Sequence, residues 1–532
     1  MPDKNEVMQI AERSAHGGYY LFVGNTLSTG ILAISSIIIA RLLGPADYGL
    51  FSLSIVVPSI LIGLIDFGIT SAITRFSAKF KAEGRDSEVR RVIKTGLLFE
   101  LIVGIIASLF CLIFSDLLST YLINRPEASF YVRIASFLIL FQTLLNVLSS
   151  AFIGLDRVKT NALVMVIRAS TKFLLSPLLI ILGFGILGAL LGHILCYIIA
   201  VAAGIASLGL MLYKGHGDHG SNSSIFKTML KYGAPLYASG LLGLFSFQYQ
   251  TIIIAFFATN IEVGNFQVAT LFSTAMAILT YPFIALFPAF SKLDSQNGRL
   301  GQFFRRSVKY TAILLVPASV AIAVMSKDLI YTFFGSDYNL APTFVAFYIL
   351  LNLTAGLGSA VFGYLFNGIG RTDVNLKSSL INLLIFVPLA PLLTLSYGIM
   401  GLIGSFFISG FCSLLYVLLI AFKQIKISPD IRTSAKIYLV SAISALSLFI
   451  FLTFSPFNSI LNLIVGGVIF CVIYLTFLPA VGIVNFTDIE IFRLTFQKIK
   501  SLQIILKFLL QYETKILEFK QRLSKRLETR VS

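Results

Sequence analysis

Apolar runs of about 20 residues recur along almost the whole chain, and each is long enough to cross a hydrocarbon core of about 30 Å as a helix. The composition agrees: of 532 residues, 57% are hydrophobic and 12% are charged, and the mean hydropathy is +0.90. Transmembrane strands would instead give segments of about 10 residues that alternate apolar and polar side chains, a pattern this sequence lacks. We therefore predict an all-α integral membrane protein with about fourteen spans.

An internal repeat organises these spans. The hairpin sequence IIIARLLGPADYGLF at 37–51 returns 215 residues later as IIIAFFATNIEVGNF at 252–266. Two loop sequences, SAKFKAEGR and GLDRVKTN, return as SKLDSQNGR and GIGRTDVN at an offset of 214. Such matches indicate two six-helix lobes of the same orientation, the usual build of a secondary transporter whose substrate site lies between the halves near mid-membrane.

The repeat and the span count together predict a division of the chain into five parts. The C-terminal tail mixes basic and apolar residues at mostly helical spacing, which favours an interfacial helix on the inner leaflet. Coiled-coil pairing is the competing interpretation. The predicted parts are an N-terminal six-helix lobe (1–213), a cytoplasmic linker (214–233), a C-terminal six-helix lobe (234–422), two extra transmembrane helices (423–482) and a basic amphipathic cytoplasmic tail (483–532).

The formal net charge of +17 could indicate a nucleic-acid partner, but its distribution argues against one. With the amino terminus placed inside, 35 of the 41 basic residues fall in inner segments and only four fall in outer ones. The bias of Lys and Arg toward the cytoplasm therefore predicts two cytoplasmic termini in the cell membrane. The excess charge is then a topology signal and a contact for anionic lipids.

No pattern in the sequence predicts an enzyme, a metal site or a cofactor. The four cysteines lie far apart inside predicted spans, which argues against both a disulfide framework and a zinc site. A phosphate-cradling loop ending in GKS or GKT is missing, so active transport would draw on an ion gradient or on the substrate gradient. The first 17 residues are polar, so we expect no signal peptide and an uncleaved first helix.

Arg168 and Lys172 are the deepest basic residues of the predicted spans. They lie four residues apart on one helix face. A charge inside a bilayer costs at least about 2.5 kcal/mol on insertion scales, so each needs a partner or a purpose. One interpretation is that they recognise a phosphate or pyrophosphate, for which Arg supplies a planar fork of donors and Lys a point charge. The other is a structural bridge with the acids Asp66 and Glu100.

Asp66, in the second predicted span (50–73), and Glu100, in the third (95–114), are candidates for coupling to H⁺ or Na⁺. A fixed salt bridge is the alternative for both. His193 is interpreted as a hydrogen-bonded structural residue rather than a proton relay. Further substrate-binding candidates could contact a charged head group or sugar hydroxyls, although interhelical hydrogen bonding explains the amides equally well. They are Arg133, Gln142, Asn146, Gln248 and Gln250.

The segment ARLLGPADYG at 40–49, followed by DFGITSAITRF at 66–76, resembles the Wzx-type polysaccharide and oligosaccharide flippases of the multidrug/oligosaccharidyl-lipid/polysaccharide (MOP) exporter superfamily. The resemblance implies two six-helix lobes, often with two extra helices, around an alternating-access cavity. It also implies that cationic residues, here Arg168 and Lys172, hold the diphosphate of a polyprenyl- or dolichyl-linked glycan. Glycan polymerases or transferases are the expected protein partners.

Two other functions stay open at this point. The same superfamily contains cation-coupled multidrug exporters, but cationic drugs would favour acids in the cavity, whereas the deepest charges here are basic. A membrane scaffold without transport activity would leave the buried charges without a purpose.

Overall fold

The computed structural model describes residues 4–212, 222–280, 283, 286–291, 299–490 and 511–522. Every regular element in these ranges is helical, which confirms the all-α prediction. The described chain contains eighteen α-helices up to residue 480, and one more helix at 511–522, here named the tail helix. They are α1 (Lys4–Ile65), α2 (Ile69–Ala82), α3 (Asp86–Ile113), α4 (Ser115–Tyr121), α5 (Ser129–Ala135), α6 (Phe137–Gly154), α7 (Val158–Leu179), α8 (Gly185–Leu212), α9 (Asn222–Phe257), α10 (Asn260–Thr280), α11 (Leu286–Ser291), α12 (Arg299–Val324), α13 (Ser326–Phe333), α14 (Ala341–Ile349), α15 (Ser359–Gly368), α16 (Thr372–Ile420), α17 (Ile431–Phe454) and α18 (Ser459–Ala480).

Eight helical stretches of the described chain are long and apolar enough to cross a membrane, or ten if each of two bent pairs is one span. The chain is therefore a multi-pass membrane protein. Three of the eight stretches are 42, 52 and 54 residues long, about twice the length that one crossing needs. Each is interrupted by a glycine with left-handed φ, namely Gly44 (74°), Gly183 (93°) and Gly398 (58°). The count of fourteen spans remains a prediction.

Contacts along the chain divide it into two compact units. Unit 1 comprises Met1–Leu271, Phe333–Leu340 and Leu383–Phe406, and unit 2 comprises Phe272–Thr332, Ala341–Asn382 and Phe407–Ser532. This division does not test the lobe boundaries that the repeat predicts, which remain a prediction.

In unit 1, α7 packs along α1 and along α8, while α3 packs on α6. Small residues permit the close approach, as where Gly24 meets Ala162 and Gly192 meets Ser176. Membrane helices commonly associate in this way because lipid tails provide no hydrophobic drive to bring them together. Large apolar side chains cover the opposite face of α3, which suits contact with lipid: Leu98, Ile102, Ile106, Leu109 and Ile113 are all exposed.

In unit 2, α17 packs on α18 and on α12 around a buried apolar cluster. The cluster extends past the end of α18 to Ile483, Val484 and Ile489, and it includes Leu517 of the tail helix. The tail helix thus packs on the protein, while its Phe519 side chain is 65% exposed. Contact of this tail with the inner leaflet remains a prediction. The exposed face of the tail helix is the surface that would make this contact.

Candidate functional site

The site begins at a break in a span that the sequence predicts to be continuous from Leu50 to Ile73. α1 ends at Ile65 and α2 begins at Ile69, because Phe67 and Gly68 adopt left-handed φ values of 47° and 77°. The polar residue in this break is Asp66.

The Asp66 carboxylate is held by the first turn of α2. It accepts hydrogen bonds from the backbone N–H groups of Gly68 and Thr70, each at 3.2 Å, and from the Thr70 hydroxyl at 3.1 Å. These N–H groups have no partner within the helix, and a negative charge at a helix N-terminus interacts favourably with the helix dipole. Asp66 therefore stabilises the start of α2.

A cavity of about 530 Å³ opens beside Asp66 within unit 1. Its volume lies in the range of small-molecule sites, roughly 300–1,000 Å³. Hydroxyl, amide and carboxylate groups share the wall with aliphatic side chains, an arrangement that suits a ligand with polar and apolar parts. The polar lining residues are Asp66, Thr70, Ser71, Asn146, Ser149, Ser150 and Tyr237, and the larger apolar ones are Ile62, Met165, Leu236, Leu241 and Leu244.

Helix α9 forms one side of this cavity and is fastened to the break. The Tyr237 hydroxyl donates to the backbone oxygen of Leu64 at 2.8 Å, and its ring lies 5.6 Å from that of Phe67, centroid to centroid. Gly68 and Gly233 approach so closely that a Cβ on either would overlap the backbone of the other. The cavity wall at α9 is therefore in tight contact with the start of α2.

Glu100, on α3, is 1% exposed and does not line the cavity. Neither of its carboxylate oxygens has a hydrogen-bond partner in the part of the chain that the structure describes. Asp66 acts on it electrostatically as a second carboxylate. A buried charge without a partner costs several kcal/mol, so such a group within a membrane protein is a functional candidate by default.

Arg168 and Lys172 lie one turn apart on α7, as the sequence predicts, and they face α8. The guanidinium of Arg168 donates from Nη1 to the Tyr197 hydroxyl at 3.2 Å, and its carbon lies 5.3 Å from the Tyr197 ring centroid. The Arg168 Nε and the His193 Nδ1 are buried without a hydrogen-bond partner among the described residues. His193 makes edge-on ring contacts with Phe51 and Tyr197.

The structure groups the acids with each other and the cations with each other. In the described ranges, neither Arg168 nor Lys172 forms an ion pair with Asp66 or Glu100. Lys172 has Arg168 and Cys196 as its electrostatic neighbours. The bridge that the sequence left open as an alternative is therefore not formed within the described chain, and the cation pair has a spare donor at Arg168 Nε.

The remaining five predicted substrate-binding residues lie on α5, α6 and α9. Arg133, on α5, forms an exposed ion pair with Asp116 at 3.2 Å. Gln248 and Gln250 are both buried on α9, and Gln142 is half-buried on α6. Asn146 alone of the five lines the cavity. Their assignment to substrate remains a prediction.

Sequence reasoning missed the aromatic residues of the site. Tyr197 follows His193 by four residues, a spacing that places both on one helix face and could have indicated a shared environment. Tyr237 carries no comparable signal, because only the folded chain brings it to Leu64 and Phe67.

The two copies of the repeated hairpin lie against each other in unit 1. Gly49 packs on the backbone of Asn260, and Gly264 packs on the backbone of Pro45, each too closely for a Cβ atom. Because Pro45 and Asn260 are also separated by 215 residues, exchanging the two copies reproduces the contact. The repeat thus gives a contact with approximate two-fold symmetry.

Arg125 fastens this contact from the loop between α4 and α5. Its Nε donates to Asn260 Oδ1 at 2.7 Å, and its Nη2 donates to the backbone oxygen of Ala258. Asn260 in turn donates from Nδ2 to Glu127 Oε1 at 3.3 Å. Hydrogen bonds that involve a charged partner are stronger than neutral ones, so Arg125 adds stability to the closed hairpin pair.

Comparison with known families decides how this architecture is classified. The family described as "Polysaccharide biosynthesis protein" matches residues 38–342, more than half of the chain. The chain belongs to this family. The match begins at the first hairpin copy and includes the acidic break, the cation pair and the second hairpin copy. Membership confirms the resemblance that the hairpin segment indicates.

Three curated relatives are similar to this chain at low identity. The lipopolysaccharide biosynthesis protein WzxC of Escherichia coli is 21% identical, over 72% of this chain and 75% of its own. The probable low-salt glycan biosynthesis flippase Agl15 of Haloferax volcanii is 22% identical, over 73% and 79%. The succinoglycan biosynthesis transport protein ExoT of Rhizobium meliloti is 23% identical, and the chain spans 61% of its length.

Solved structures show the same fold. The lipid II flippase MurJ in an inward closed conformation superposes with a TM-score of 0.69 at 18% identity, covering 86% of this chain and 97% of MurJ. An inward-facing multidrug resistance MATE transporter of the MOP superfamily has a TM-score of 0.61, over 76% and 98%. At these identities the likeness is one of fold.

Proposed function

We propose that this protein is a flippase that moves a polyprenyl- or dolichyl-(di)phosphate-linked oligosaccharide from the cytoplasmic to the outer leaflet by alternating access. Its role would be the assembly of a polysaccharide or glycoconjugate, in company with glycan polymerases or transferases. The family, and the names of the relatives as flippases or transport proteins of glycan biosynthesis, support this proposal.

The cation pair carries the proposal. Arg168 and Lys172 place two half-buried positive charges side by side in a membrane protein without a described carboxylate partner. An anionic ligand would supply the missing charge, and the unpartnered Arg168 Nε would supply a donor to it. Phosphate oxygens suit this arrangement because guanidinium and ammonium groups form short charge-assisted hydrogen bonds to them.

The acids supply the proposed energy coupling. Glu100 is buried without a partner in the described chain, so binding H⁺ or Na⁺ would remove an unfavourable charge. Asp66, by contrast, has helix N–H groups as partners and lines the cavity. We assign the binding of the coupling ion to Glu100. Asp66 would act indirectly, because its negative charge favours the binding of a cation at Glu100.

The paired hairpins support the alternating-access part of the proposal. On the predicted topology, with both termini cytoplasmic, the Gly49 and Gly264 contact lies at the outer face. Release of substrate on that side would require this contact and the Arg125 hydrogen bonds to open.

A cation-coupled multidrug exporter is the second candidate. The fold likeness to MATE transporters and the unpartnered acid Glu100 favour it. The uncompensated cation pair opposes it, because a cationic drug would be repelled there.

Transport by the purified protein in vesicles tests the assignment. A fluorescent polyprenyl-diphosphate oligosaccharide is placed in both leaflets, and its movement is followed by a quencher that does not cross the membrane. We expect the Arg168→Ala/Lys172→Ala variant to flip about 100-fold more slowly, because each charged hydrogen bond contributes about 1.5–3 kcal/mol.

The matched control is Arg157→Ala/Lys159→Ala, which removes the same charge from exposed positions at the start of α7. We expect it to flip at the unmodified rate. An unchanged rate in the Arg168/Lys172 variant would overturn the site assignment. Export of a cationic dye without movement of the lipid would favour the multidrug exporter instead.

A further inference from the structure

The tail helix meets the end of α18 at a junction that the transport proposal does not use. Tyr512 and Thr476 share a hydrogen bond between hydroxyls at 2.7 Å, and Lys520 Nζ donates to the backbone oxygen of Pro479 at 3.3 Å. Leu517 completes the apolar cluster beyond α18. The tail helix is therefore docked by one apolar side chain and few polar contacts, an arrangement that can open locally.

Asp488 lies at the centre of the junction, and both of its carboxylate oxygens have partners. Lys309 Nζ lies 2.6 Å from its Oδ2, and the Tyr310 hydroxyl donates to its Oδ1 at 2.8 Å. Its Oδ2 also accepts from the N–H of Asn485 at 2.9 Å. These contacts join α12 to the segment that follows α18.

Glu513 of the tail helix is 7% exposed, and Asp488 acts on it electrostatically as a second carboxylate. Glu513 forms no ion pair with any residue in the described ranges. Among the described residues, the Lys309 ammonium group forms its ion pair with Asp488 and not with Glu513. Like charges that share a buried site cannot both ionise cheaply, and the carboxylate with fewer partners takes the proton. Titratable or charged groups of the described chain lie at this junction on other elements and on the tail helix itself. Those on other elements are Asp488, Lys309, Tyr310, Tyr474 and Lys436, and those on the tail helix include Tyr512 and Lys520.

We propose that the tail helix is a proton-controlled clasp: it stays docked on the end of α18 while Glu513 is protonated, and it is released when Glu513 ionises beside Asp488. Release would uncover Leu517 and the apolar residues beyond α18. It would also remove a neighbour from the junction that joins α12 to this segment.

The direction of the pH effect follows from proton linkage. Burial, and then the charge of Asp488, raises the pKa of Glu513 from 4.5 to about 7 in the docked state. Docking therefore takes up a proton between these values, and each unit rise in pH weakens docking about tenfold. Below this window both states are protonated and above it both are ionised, so docking becomes independent of pH on either side.

Hydrogen exchange of the full-length protein in nanodiscs measures this equilibrium. The observable is the protection factor of amides in 511–522, corrected for the intrinsic exchange rate at each pH. We expect protection to fall about tenfold per unit between pH 5 and 7 and to level off above pH 7. In Glu513→Gln we expect high protection at every pH. The matched control Glu518→Gln, an exposed acid of the same helix, should fall as the unmodified protein does.

Asp488→Asn provides a second, independent test. Removing this carboxylate takes away one cause of the raised pKa of Glu513 and frees Lys309 to pair with it, so the fall in protection should end at a lower pH and be smaller in total. Protection that is independent of pH in the unmodified protein would overturn the proposal. So would a Glu513→Gln variant whose protection falls as steeply as that of Glu518→Gln.

Discussion

Asp488 in unit 2 and three charged residues of unit 1 differ in whether they have partners. In unit 1, Glu100 is buried and Arg168 and Lys172 are half-buried, and none of the three forms an ion pair among the described residues. In unit 2, Asp488 is buried and has Lys309, Tyr310 and a backbone N–H as partners, whereas Glu513 is buried and forms no ion pair in the described ranges. A satisfied buried charge joins structural elements. An unsatisfied one costs stability and is retained where a ligand or ion completes it.

The largest effect is expected when the ion pair between Lys309 and Asp488 is broken. In Lys309→Met, Asp488 keeps two hydrogen bonds but loses its counter-charge, so we expect a loss of about 3 kcal/mol in unfolding free energy. Denaturant unfolding in micelles measures this change. Lys327→Met, an exposed lysine of unit 2, should change stability little. Equal stability of the two variants would contradict the structural role of the junction.

The next effect concerns the cation pair. Lys172→Met removes a charge without a described ion-pair partner, so we expect unfolding free energy to stay the same or rise. Flipping of the diphosphate-linked lipid should slow about tenfold, equivalent to about 1.4 kcal/mol, because one charged contact to the anion is lost. Parallel stability and transport assays separate the two readouts. If Lys172→Met lowered the unfolding free energy but left the flipping rate unchanged, Lys172 would have a structural role and not a role in binding the substrate.

Asp66 should affect stability less than Lys309 does. Its carboxylate has no ion-pair partner in the described chain, but it accepts hydrogen bonds from the start of α2. Asp66→Ala leaves the first turn of α2 without its acceptor and should cost about 1 kcal/mol. Asp66→Asn, which can still accept from the same N–H groups, should keep most of that stability. If Asp66→Asn also flips normally, the role of Asp66 is to hold the start of α2, and ion coupling belongs to Glu100 alone.

The smallest stability effect is expected at Glu100. Glu100→Gln removes an unpartnered carboxylate and should change unfolding free energy by less than about 1 kcal/mol. Transport that an imposed H⁺ or Na⁺ gradient accelerates should lose that acceleration, while movement down the substrate gradient continues. Vesicles with and without each gradient measure the difference. Retained acceleration would exclude Glu100 as the coupling residue.

Much of the fold follows from local patterns. Apolar length predicts membrane helices, and the repeated hairpin predicts turns, one of which the structure places at Gly44. The break at Asp66 was missed because DFGITSAITRF continues an apolar run, and the strain at Phe67 is visible only in the backbone. The cation pair was predicted from its spacing, since positions four apart always share a helix face.

The sequence by itself determined the class of protein, its helical content, its repeat and the position of two cations on one face of α7. These are properties of single segments, set by side-chain hydrophobicity and helical period. Only the tertiary structure decided which charges meet. In the folded chain, Arg168 donates a hydrogen bond to Tyr197, Asp66 accepts from the first turn of α2, and Asp488 forms an ion pair with Lys309. Partner choice depends on which helix faces are brought into contact, and that is a property of the whole fold.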